Sequence, residues 1–450
     1  MISKILIANR GEIAVRIVRA CKEMGITSVA VFSDVDKDAL HVSLADESYC
    51  IGPYKAKDSY LNMGAILSIA TACGAEAIHP GYGLLSENAE FARLCRECNI
   101  IFIGPPPEVI EKMGKKDEAL RTMQKAGVNT VPGSAQAVTD INQAISFAEE
   151  IGYPVLLKAR SGGGGKGIRK VDNSEQLERL FLSASAEAAN SFNDGALYVE
   201  KYLFPVKHVE VQILCDNDNN IAILGERDCS VQRKNQKMLE ESPCIALNNK
   251  TRAKLFEMAK SAAKAINYTG AGTLEFLLDG QGKLYFMEMN TRLQVEHTVS
   301  EMVTGLDLVK WQIRIADGMN MDFLKEGVSL NGHAIECRIN AEKSDNGMPS
   351  CGKISLLHIP GGPNVRFDTA LYQDYNVLPF YDSMIGKLIV YAKTREEAIR
   401  KMKAALCELV IEGIHCNREA LIEIIEDEEF ESGRYTTDFL TKKFKDKVSG

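Results

Sequence analysis

The chain has 450 residues, of which 45% are hydrophobic and 25% charged, and its formal net charge is -8 at pH 7. This length suggests about three domains, and the composition is that of a globular protein without a biased tract. The acidic balance argues against nucleic acid or an anionic membrane as the main partner.

The N-terminal segment and the cysteines indicate where the protein works. MISKILIANRGEIAVRI lacks the apolar core and cleavage site of a signal peptide, and no apolar stretch is long enough to span a membrane. The twelve cysteines are scattered, and the C-x-x-C of Cys95 and Cys98 has no second pair at zinc-finger distance. We therefore expect a cytoplasmic protein with free thiols and no membrane span.

Residues 1–110 alternate the patterns of strands and helices. KILIA, SVAVFS, AEAIHP and IIFIGP predict strands, with helical periodicity between them. This order predicts a parallel α/β sheet, but NRGEI lacks the G-x-G-x-x-G of a dinucleotide site. HPGYGLLSEN follows a strand end, where such sheets bind ligands, although an ordinary turn has the same pattern. The Pro-rich IGPPPEVIEKMGKK predicts a domain boundary near residue 110.

The second region, 111–320, begins with helical patterns and becomes rich in strands. VLLKARSGGGGKGIRKV predicts a glycine-rich hairpin whose N–H groups can approach phosphates, with Lys158 on the strand that enters it. The spacing is not that of a Walker A loop, and a mobile turn is the alternative. Further on, Glu200, Lys201 and Leu203 end a strand before Pro205. Such a segment can offer backbone groups to adenine and an acid to ribose, although the pattern taken alone is more typical of plain sheet.

A second hairpin carries the strongest chemical pattern. GTLEFLLDGQGKLYFMEMN places two apolar strands around Asp279 to Gly282. If the turn centres between Gln281 and Gly282, Glu275 lies directly opposite Glu288. Opposed like charges are destabilising unless a cation binds them, and Asn290 adds a third oxygen suited to Mg²⁺ or Mn²⁺. A solvent-facing hairpin with unrelated charges is the alternative.

The residues that follow this hairpin extend the polar pattern. Five residues alternate along YFMEMNTRLQVEH, which predicts one polar face of a single strand: Glu288, Asn290, Arg292, Gln294 and Glu296. Upstream, RDCSVQRKNQKMLEESP is a basic segment, and facing an anionic site its Lys237 would bind phosphate or a small oxyanion. A third region, 321–450, begins near GHAIECRINAE and ends in strand SMIGKLIVYA and an amphipathic helix.

The order of these motifs resembles that of the ATP-grasp ligases, and within them the biotin carboxylases. The resemblance runs from ANRGEIAVRI through HPGYGLLSEN and MNTRLQVEH to ECRINAE and YDSMIGKLI, over nearly the whole chain. It implies a Rossmann-like N-terminal domain, an ATP-grasp domain whose lid is about 131–203, and a C-terminal biotin carboxylase domain. The reaction implied is ATP- and bicarbonate-dependent carboxylation of biotin through carboxyphosphate.

The resemblance also implies a role for individual residues. Nucleotide contacts are expected from Lys116, Lys158, Gly164, Gly165, Glu200, Lys201, Tyr202, Leu203, His208, Glu275 and Glu288. Two Mg²⁺ or Mn²⁺ ions are expected at Glu275, Glu288 and Asn290. Bicarbonate is expected at Lys237, Arg292, Gln294, Val295 and Glu296, with Glu296 as general base, and the biotin ring at Tyr82 and Arg338. One position departs from many relatives, which have His where this chain has Asn235.

The resemblance implies partners as well. The chain has no A-M-K-M biotinylation motif, so biotin is expected on a separate carrier protein, and the carboxyltransferase on further chains. A homodimer, with its interface near Arg16, is implied by the family. The default final acceptor is acetyl-CoA, for fatty acid biosynthesis, with pyruvate and propionyl-CoA as alternatives. A different ATP-grasp carboxylate–amine ligase, or a nucleotide sensor without turnover, are the remaining hypotheses.

Overall fold

The computed structural model describes residues 1–134, 136–160, 168–192, 194–343 and 347–443. Its first part contains β1 (Lys4–Ile7), α1 (Gly11–Glu23), β2 (Thr27–Phe32), α2 (Leu40–Leu44), β3 (Glu47–Cys50), α3 (Met63–Cys73), β4 (Ala77–His79), α4 (Ala89–Glu97), β5 (Ile101–Phe102) and α5 (Pro107–Gly114). The strands form a parallel sheet in the order β3-β2-β1-β4-β5. The predicted α/β sheet is therefore confirmed, and β3 is a strand that the sequence patterns did not indicate.

A small unit with its own core follows. Helix α6 (Lys116–Lys125) comes first and packs outside this unit, because its Ala119 and Met123 share a buried core with Val209 and Phe286. The unit itself contains α7 (Ile141–Ile151), β6 (Val155–Ala159), β7 (Ile168–Val171), α8 (Ser174–Phe192) and β8 (Leu197–Lys201). The sheet order is β7-β6-β8, and Leu157, Phe181 and Val199 are buried between the sheet and the helices. Strands β6 and β7 pair antiparallel, as the glycine-rich hairpin predicted. The glycines themselves, Gly164 and Gly165, lie outside the described residues.

The rest of the chain is built around one large sheet. Its elements are β9 (Val206–Cys215), β10 (Ile221–Arg233), β11 (Gln236–Ser242), α9 (Asn249–Ala265), β12 (Gly270–Asp279), β13 (Leu284–Asn290), α10 (His297–Thr304), α11 (Leu308–Ala316), β14 (His333–Asn340), β15 (Gly352–Lys353), β16 (Leu356–His358), β17 (Val365–Thr369), β18 (Asn376–Val377), β19 (Met384–Ala392), α12 (Arg395–Glu408), β20 (Val410–Glu412), α13 (Arg418–Ile425), α14 (Glu428–Glu431) and α15 (Phe439–Lys443).

Eight of these strands form an antiparallel sheet in the order β13-β12-β9-β10-β11-β14-β19-β17. The sheet crosses the boundary expected near residue 320, because β11 pairs directly with β14. The third region of the chain therefore continues the sheet of the second. Strands from both regions supply side chains to the same face.

The N-terminal part packs directly on this sheet. Ile5 and Ile17 share a buried core with Leu214 of β9, Ala271 of β12 and Leu308 of α11. On the far side, α12 packs against β14 and β19 in a second core. Over the part of the chain that the structure describes, no helix combines the length and apolar character needed to cross a bilayer.

Candidate active site

The hairpin of β12 and β13 places Glu275 directly opposite Glu288 and Thr273 opposite Asn290, as the sequence predicts for the two acids. The turn is not centred as expected, however. Below Glu275 the register shifts, and Phe276 pairs with Phe286. Met287 is therefore an extra residue in β13, a β-bulge that restores the facing of the two carboxylates.

The two facing carboxylates differ in their surroundings. Glu275 is buried, and although burial opposes its ionisation, Lys237 and His208 hold its pKa well below the usual range. Glu288 is exposed, and the negative charge of Glu275 raises its pKa. One oxygen of Glu275 accepts hydrogen bonds from Asn290 Nδ2 and Gln294 Nε2, both at 2.9 Å.

The prediction of one continuous strand from Glu288 to Glu296 is wrong. Strand β13 ends at Asn290, and the next residues form turns before α10 begins at His297. Arg292 Nη2 donates to Asn290 Oδ1 at 2.9 Å, and its Nη1 donates to Gln294 Oε1 at 3.1 Å. The alternating side chains therefore meet through hydrogen bonds around a bend, and the flat strand face that the pattern predicted does not form.

Lys237 lies at the centre of a buried ionic cluster. Its Nζ is 2.6 Å from Glu210, 2.9 Å from Glu275 and 2.6 Å from Glu296. Met238 is unpaired between the Val231–Leu239 and Gln232–Lys237 pairs, and such an irregularity re-aims neighbouring side chains. Burial alone would lower the pKa of Lys237, but the three carboxylates raise it well above its ordinary value. The ammonium is therefore charged, and it joins the hairpin to Glu296.

Arg338 approaches Glu296 from the other side. Its Nη2 donates to Glu296 Oε2 at 2.9 Å, and its Nε donates to Glu240 Oε1 at 2.6 Å. Glu296 is fully buried, yet Lys237, Arg338 and Arg227 hold its pKa well below the usual value for a carboxyl. The Glu296 carboxylate thus bridges a lysine on β11 and an arginine on β14.

The loop before α10 is fixed by contacts to the N-terminal part. Arg292 Nε donates to Glu87 Oε2 at 2.8 Å, and Thr291 N donates to Glu87 Oε1 at 3.0 Å. The buried Lys387 of β19 donates to the carbonyl of Val295 at 2.8 Å, and its Nζ is 5.7 Å from the centre of the Tyr82 ring. The expected bicarbonate residues are therefore close to both expected biotin residues, Tyr82 and Arg338.

A second cationic cluster lies where helix α6 approaches the small three-stranded unit. Lys116 Nζ and Lys158 Nζ each lie 2.5 Å from a different oxygen of Glu200. Burial opposes ionisation of Glu200, but the two lysines lower its pKa to about 2. Burial lowers the pKa of Lys116. Two lysines from α6 and β6 therefore converge on one carboxylate at the end of β8.

The other residues expected at the nucleotide make contacts of their own. Lys201 Nζ donates to the carbonyls of Gly152 and Tyr153 at 2.9 and 3.0 Å. The Tyr202 ring stacks on the Phe204 ring, and Leu203, the residue between them in the sequence, is half-buried. His208 is buried, with Nε2 2.9 Å from Glu275. Asn235 is exposed at the tip of the β10–β11 hairpin, with φ of 64°.

Comparison with known proteins identifies the family. Family models described as "Biotin carboxylase, N-terminal domain", "Carbamoyl-phosphate synthase L chain, ATP binding domain" and "Biotin carboxylase C-terminal domain" match residues 1–110, 115–324 and 336–442. The chain is 55% identical to "Biotin carboxylase 1" of Bacillus subtilis (strain 168) over 442 residues, 98% of each protein. The chain belongs to the biotin carboxylase family. The predicted family, fold and class of enzyme are confirmed.

Two solved structures of biotin carboxylases place the chain further. One is the biotin carboxylase domain dimer of the Hydrogenobacter thermophilus 2-oxoglutarate carboxylase in complex with MgADP, ADP and bicarbonate, at 49% identity, a TM-score of 0.94 and 98% coverage of both chains. The other is the biotin carboxylase subunit of pyruvate carboxylase, at 49% identity, a TM-score of 0.86 and 99% coverage of both. The chain is thus the biotin carboxylase component of a biotin-dependent carboxylase, and these relatives serve different final acceptors.

The residues of the hairpin fit a divalent cation. Glu275 and Glu288 face each other, and the repulsion that raises the pKa of Glu288 is the kind that a bound cation removes. Asn290 supplies a neutral oxygen, which completes a hard ligand set suited to Mg²⁺. Another group of possible ligand atoms comes from Glu210, Cys229 and Glu296, and its two carboxylates already contact the Lys237 ammonium. We therefore expect the metal at the hairpin, because Lys237 already occupies the other group.

Several residues of this candidate site were not predicted from the sequence. Glu210 and Glu240 lie on strands that are almost fully buried, and a charged residue within an apolar strand is the signal that would have indicated them. Glu87 contacts Arg292 from 205 residues away, and Lys387 contacts Val295 from 92 residues away. Such contacts between distant segments leave no local pattern.

Proposed function

We propose that the protein carboxylates biotin carried on a separate biotin carboxyl carrier protein, using ATP and bicarbonate, through a carboxyphosphate intermediate. The observation that supports this most is the position of Glu296, whose two oxygens contact Lys237 and Arg338 separately. Glu296 thereby contacts two cations. Lys237 is suited to bind phosphate or bicarbonate, and Arg338 is suited to bind the biotin ring. This position would let Glu296 act as general base on bicarbonate beside Lys237 while it stays next to the arginine proposed to face biotin.

The first half-step joins bicarbonate to the γ-phosphate of ATP. Bicarbonate would lie against Lys237, Arg292, Gln294 and the backbone at Val295, where Arg292 offers planar paired N–H donors. Glu296 would remove the bicarbonate proton. Its pKa is depressed mainly because Lys237 is close, and an incoming anion that shares the charge of Lys237 would raise it towards that of a working base.

The nucleotide would bind between the large sheet and the small unit. Lys116 and Lys158 would exchange Glu200 for phosphate oxygens, and the Glu200 carboxylate would then accept hydrogen bonds from the ribose hydroxyl groups in place of the two lysines. Adenine and ribose contacts are proposed from Glu200, Lys201, Tyr202, Leu203 and His208, with Gly164 and Gly165 over the phosphates. When bound at Glu275, Glu288 and Asn290, one or two Mg²⁺ or Mn²⁺ ions would neutralise phosphate charge.

We propose domains at 1–110, 111–320 and 321–450, with the lid at about 131–203, which includes the separate core of the small unit. Closure of that lid would exclude water from carboxyphosphate, which hydrolyses readily.

The second half-step carboxylates biotin. Carboxyphosphate would give CO₂ and phosphate, the phosphate would take the proton of the ureido nitrogen, and that nitrogen would then form the new N–C bond to CO₂. Arg338 would stabilise the enolate-like oxygen that develops on deprotonation. Tyr82 would contact the biotin ring. The carboxyltransferase would be a further partner, the final acceptor acetyl-CoA, with pyruvate or propionyl-CoA as alternatives, and the protein itself a homodimer.

The experiment measures ADP release and ¹⁴C-carboxybiotin with free biotin as acceptor. ADP release should require bicarbonate and increase with biotin, and Glu296→Gln should lower turnover by a factor of about 10² or more while MgADP binding survives. Glu257→Gln, an exposed acid on α9, serves as the matched control. Bicarbonate-independent ADP release by the wild-type protein, or loss of MgADP binding in Glu296→Gln, would contradict the proposal. Co-purification with a biotinylated protein, followed by its carboxylation, tests the acceptor.

A further inference from the structure

Two buried carboxyl groups face each other behind Arg338. Glu240 on β11 is directly paired with Glu336 on β14, and neither residue has exposed surface. Directly paired residues of antiparallel strands share one face, with their Cβ atoms about 5 Å apart. Two carboxylates this close and this far from water are strongly destabilising if both are ionised.

Each of the two carboxyl groups leaves one oxygen unused. Glu240 Oε1 accepts from Arg338, and Glu336 Oε2 accepts from the hydroxyl of Thr298. The other two oxygens, Glu240 Oε2 and Glu336 Oε1, are buried and have no hydrogen-bond partner among the described residues. A single proton between the two groups would satisfy both oxygens and remove the repulsion.

The cations around Glu240 and Glu336 do not neutralise two negative charges, because each cation also pairs with another carboxylate. Arg338 is shared between Glu240, at 2.5 Å from Nη2, and Glu296, at 2.9 Å. Lys387 faces the pair from β19, but it also contacts the buried Glu12 at 3.3 Å. The titratable and charged groups that act on Glu240 are Lys237 and Cys229 from the strands on one side, Glu336, Cys337 and Arg338 from β14, and Glu296 from the loop before α10. Burial raises the pKa of Glu240 to about 8 and that of Glu336 to about 7.

We propose that Glu240 and Glu336 share one proton at neutral pH, so that Glu240 positions Arg338 without cancelling its charge. A neutral carboxyl still accepts the hydrogen bond from Nε at 2.6 Å and remains 2.5 Å from Nη2, and so it holds the guanidinium in its orientation. The positive charge then stays available to the enolate-like oxygen of biotin. Glu240 is a positioning residue, because it contacts Arg338 and not the reacting atoms.

This inference rests on the proposed role of Arg338 in the second half-step. If the pair loses its proton, Arg338 lies between two carboxylates, and its stabilisation of the enolate-like oxygen falls. Carboxyphosphate formation does not use Arg338 in this way, so bicarbonate-dependent ADP release without biotin is affected less. Raising the pH through the pKa of the pair should therefore uncouple the two half-steps.

The test measures the ratio of ¹⁴C-carboxybiotin formed to ADP released, from pH 6 to pH 9.5, in the wild-type protein and two variants. In the wild type this ratio should fall about tenfold between pH 7 and pH 9, as one group with a pKa near 8 ionises. Glu240→Gln keeps the acceptor oxygen but cannot ionise, and its ratio should stay level over that range. Glu336→Gln removes the opposing charge, so Glu240 should ionise sooner and the fall should move to lower pH by about one unit or more.

The two variants are thus expected to move the alkaline limb in opposite directions, which a general loss of stability cannot produce. An alkaline fall in Glu240→Gln equal to that of the wild type, or an unshifted fall in Glu336→Gln, would overturn the inference. If Glu240→Gln does not fold, the direction of the shift in Glu336→Gln decides alone. A wild-type protein that releases ADP without carboxylating biotin at any pH would instead overturn the proposed function.

Discussion

Replacing Glu288 with glutamine should have effects of opposite sign in the free protein and in the metal-bound protein. Without metal, the exposed carboxylate faces Glu275 and is repelled by it. Two unit charges about 6 Å apart repel by about 0.7 kcal/mol in bulk water and by about 3 kcal/mol at an effective dielectric constant near 20. Because Glu288 is exposed, the lower part of this range applies, and Glu288→Gln should stabilise the metal-free protein by about 1 kcal/mol.

The assay measures the midpoint of urea-induced unfolding under two conditions, one with EDTA and the other with MgADP. In EDTA, Glu288→Gln should have the higher midpoint, and Glu257→Gln on α9 should be unchanged. MgADP should raise the midpoint of the wild type and of the control, and should raise that of Glu288→Gln much less, because one metal ligand is lost. A lower midpoint than wild type in EDTA, or a full MgADP effect in the variant, would refute the reasoning.

Three further predictions concern other parts of the site. Arg338→Gln should lower biotin carboxylation about a hundredfold while sparing biotin-independent ADP release, and equal losses in the two assays would contradict this. Glu241→Gln should lower the free energy of unfolding by about 3 kcal/mol, because His333 and Arg395 hold the pKa of the buried Glu241 at about 2. Since this pKa is depressed, the difference should be complete above pH 5 and shrink in urea titrations as the pH falls towards 2. Asn235→His should change stability by less than about 0.5 kcal/mol, because both residue types adopt positive φ, and should tighten MgADP binding in calorimetry; unchanged affinity would exclude a nucleotide contact there.

The strand patterns predicted what depends on neighbouring residues. The pairing of Glu275 with Glu288 followed from the position of the turn and the alternation of apolar residues. The reason for the pairing was incomplete, because the bulge at Met287 compensates for a turn one step away from the expected centre. The strand predicted beyond Asn290 fails because the pattern of alternating residues cannot distinguish an extended segment from one that bends while its side chains pair with one another.

Contacts between distant segments were beyond the sequence patterns. Lys237 was predicted to bind an anion, but its three carboxylate partners come from β9, β12 and the loop before α10. The pairing of β11 with β14, which brings Glu240 to Arg338, joins segments about 95 residues apart and has no local signature. The resemblance to the biotin carboxylases indicated only those site residues that lie within the matching motifs, such as Lys237 and Arg338.

The pairing of β11 with β14 also constrains how the reaction can be controlled. Residues in a ladder are spaced by about 3.3 Å and can change partners only in whole steps, since side chains keep their face only when the shift is even. The register of β11 and β14 therefore fixes the distance between Lys237 and Arg338. The smallest allowed register shift is two residues, and it would displace one residue relative to the other by about 7 Å. Graded control of the reaction is therefore left to the side chains, which can gain or lose protons while the backbone pairing of β11 and β14 stays unchanged.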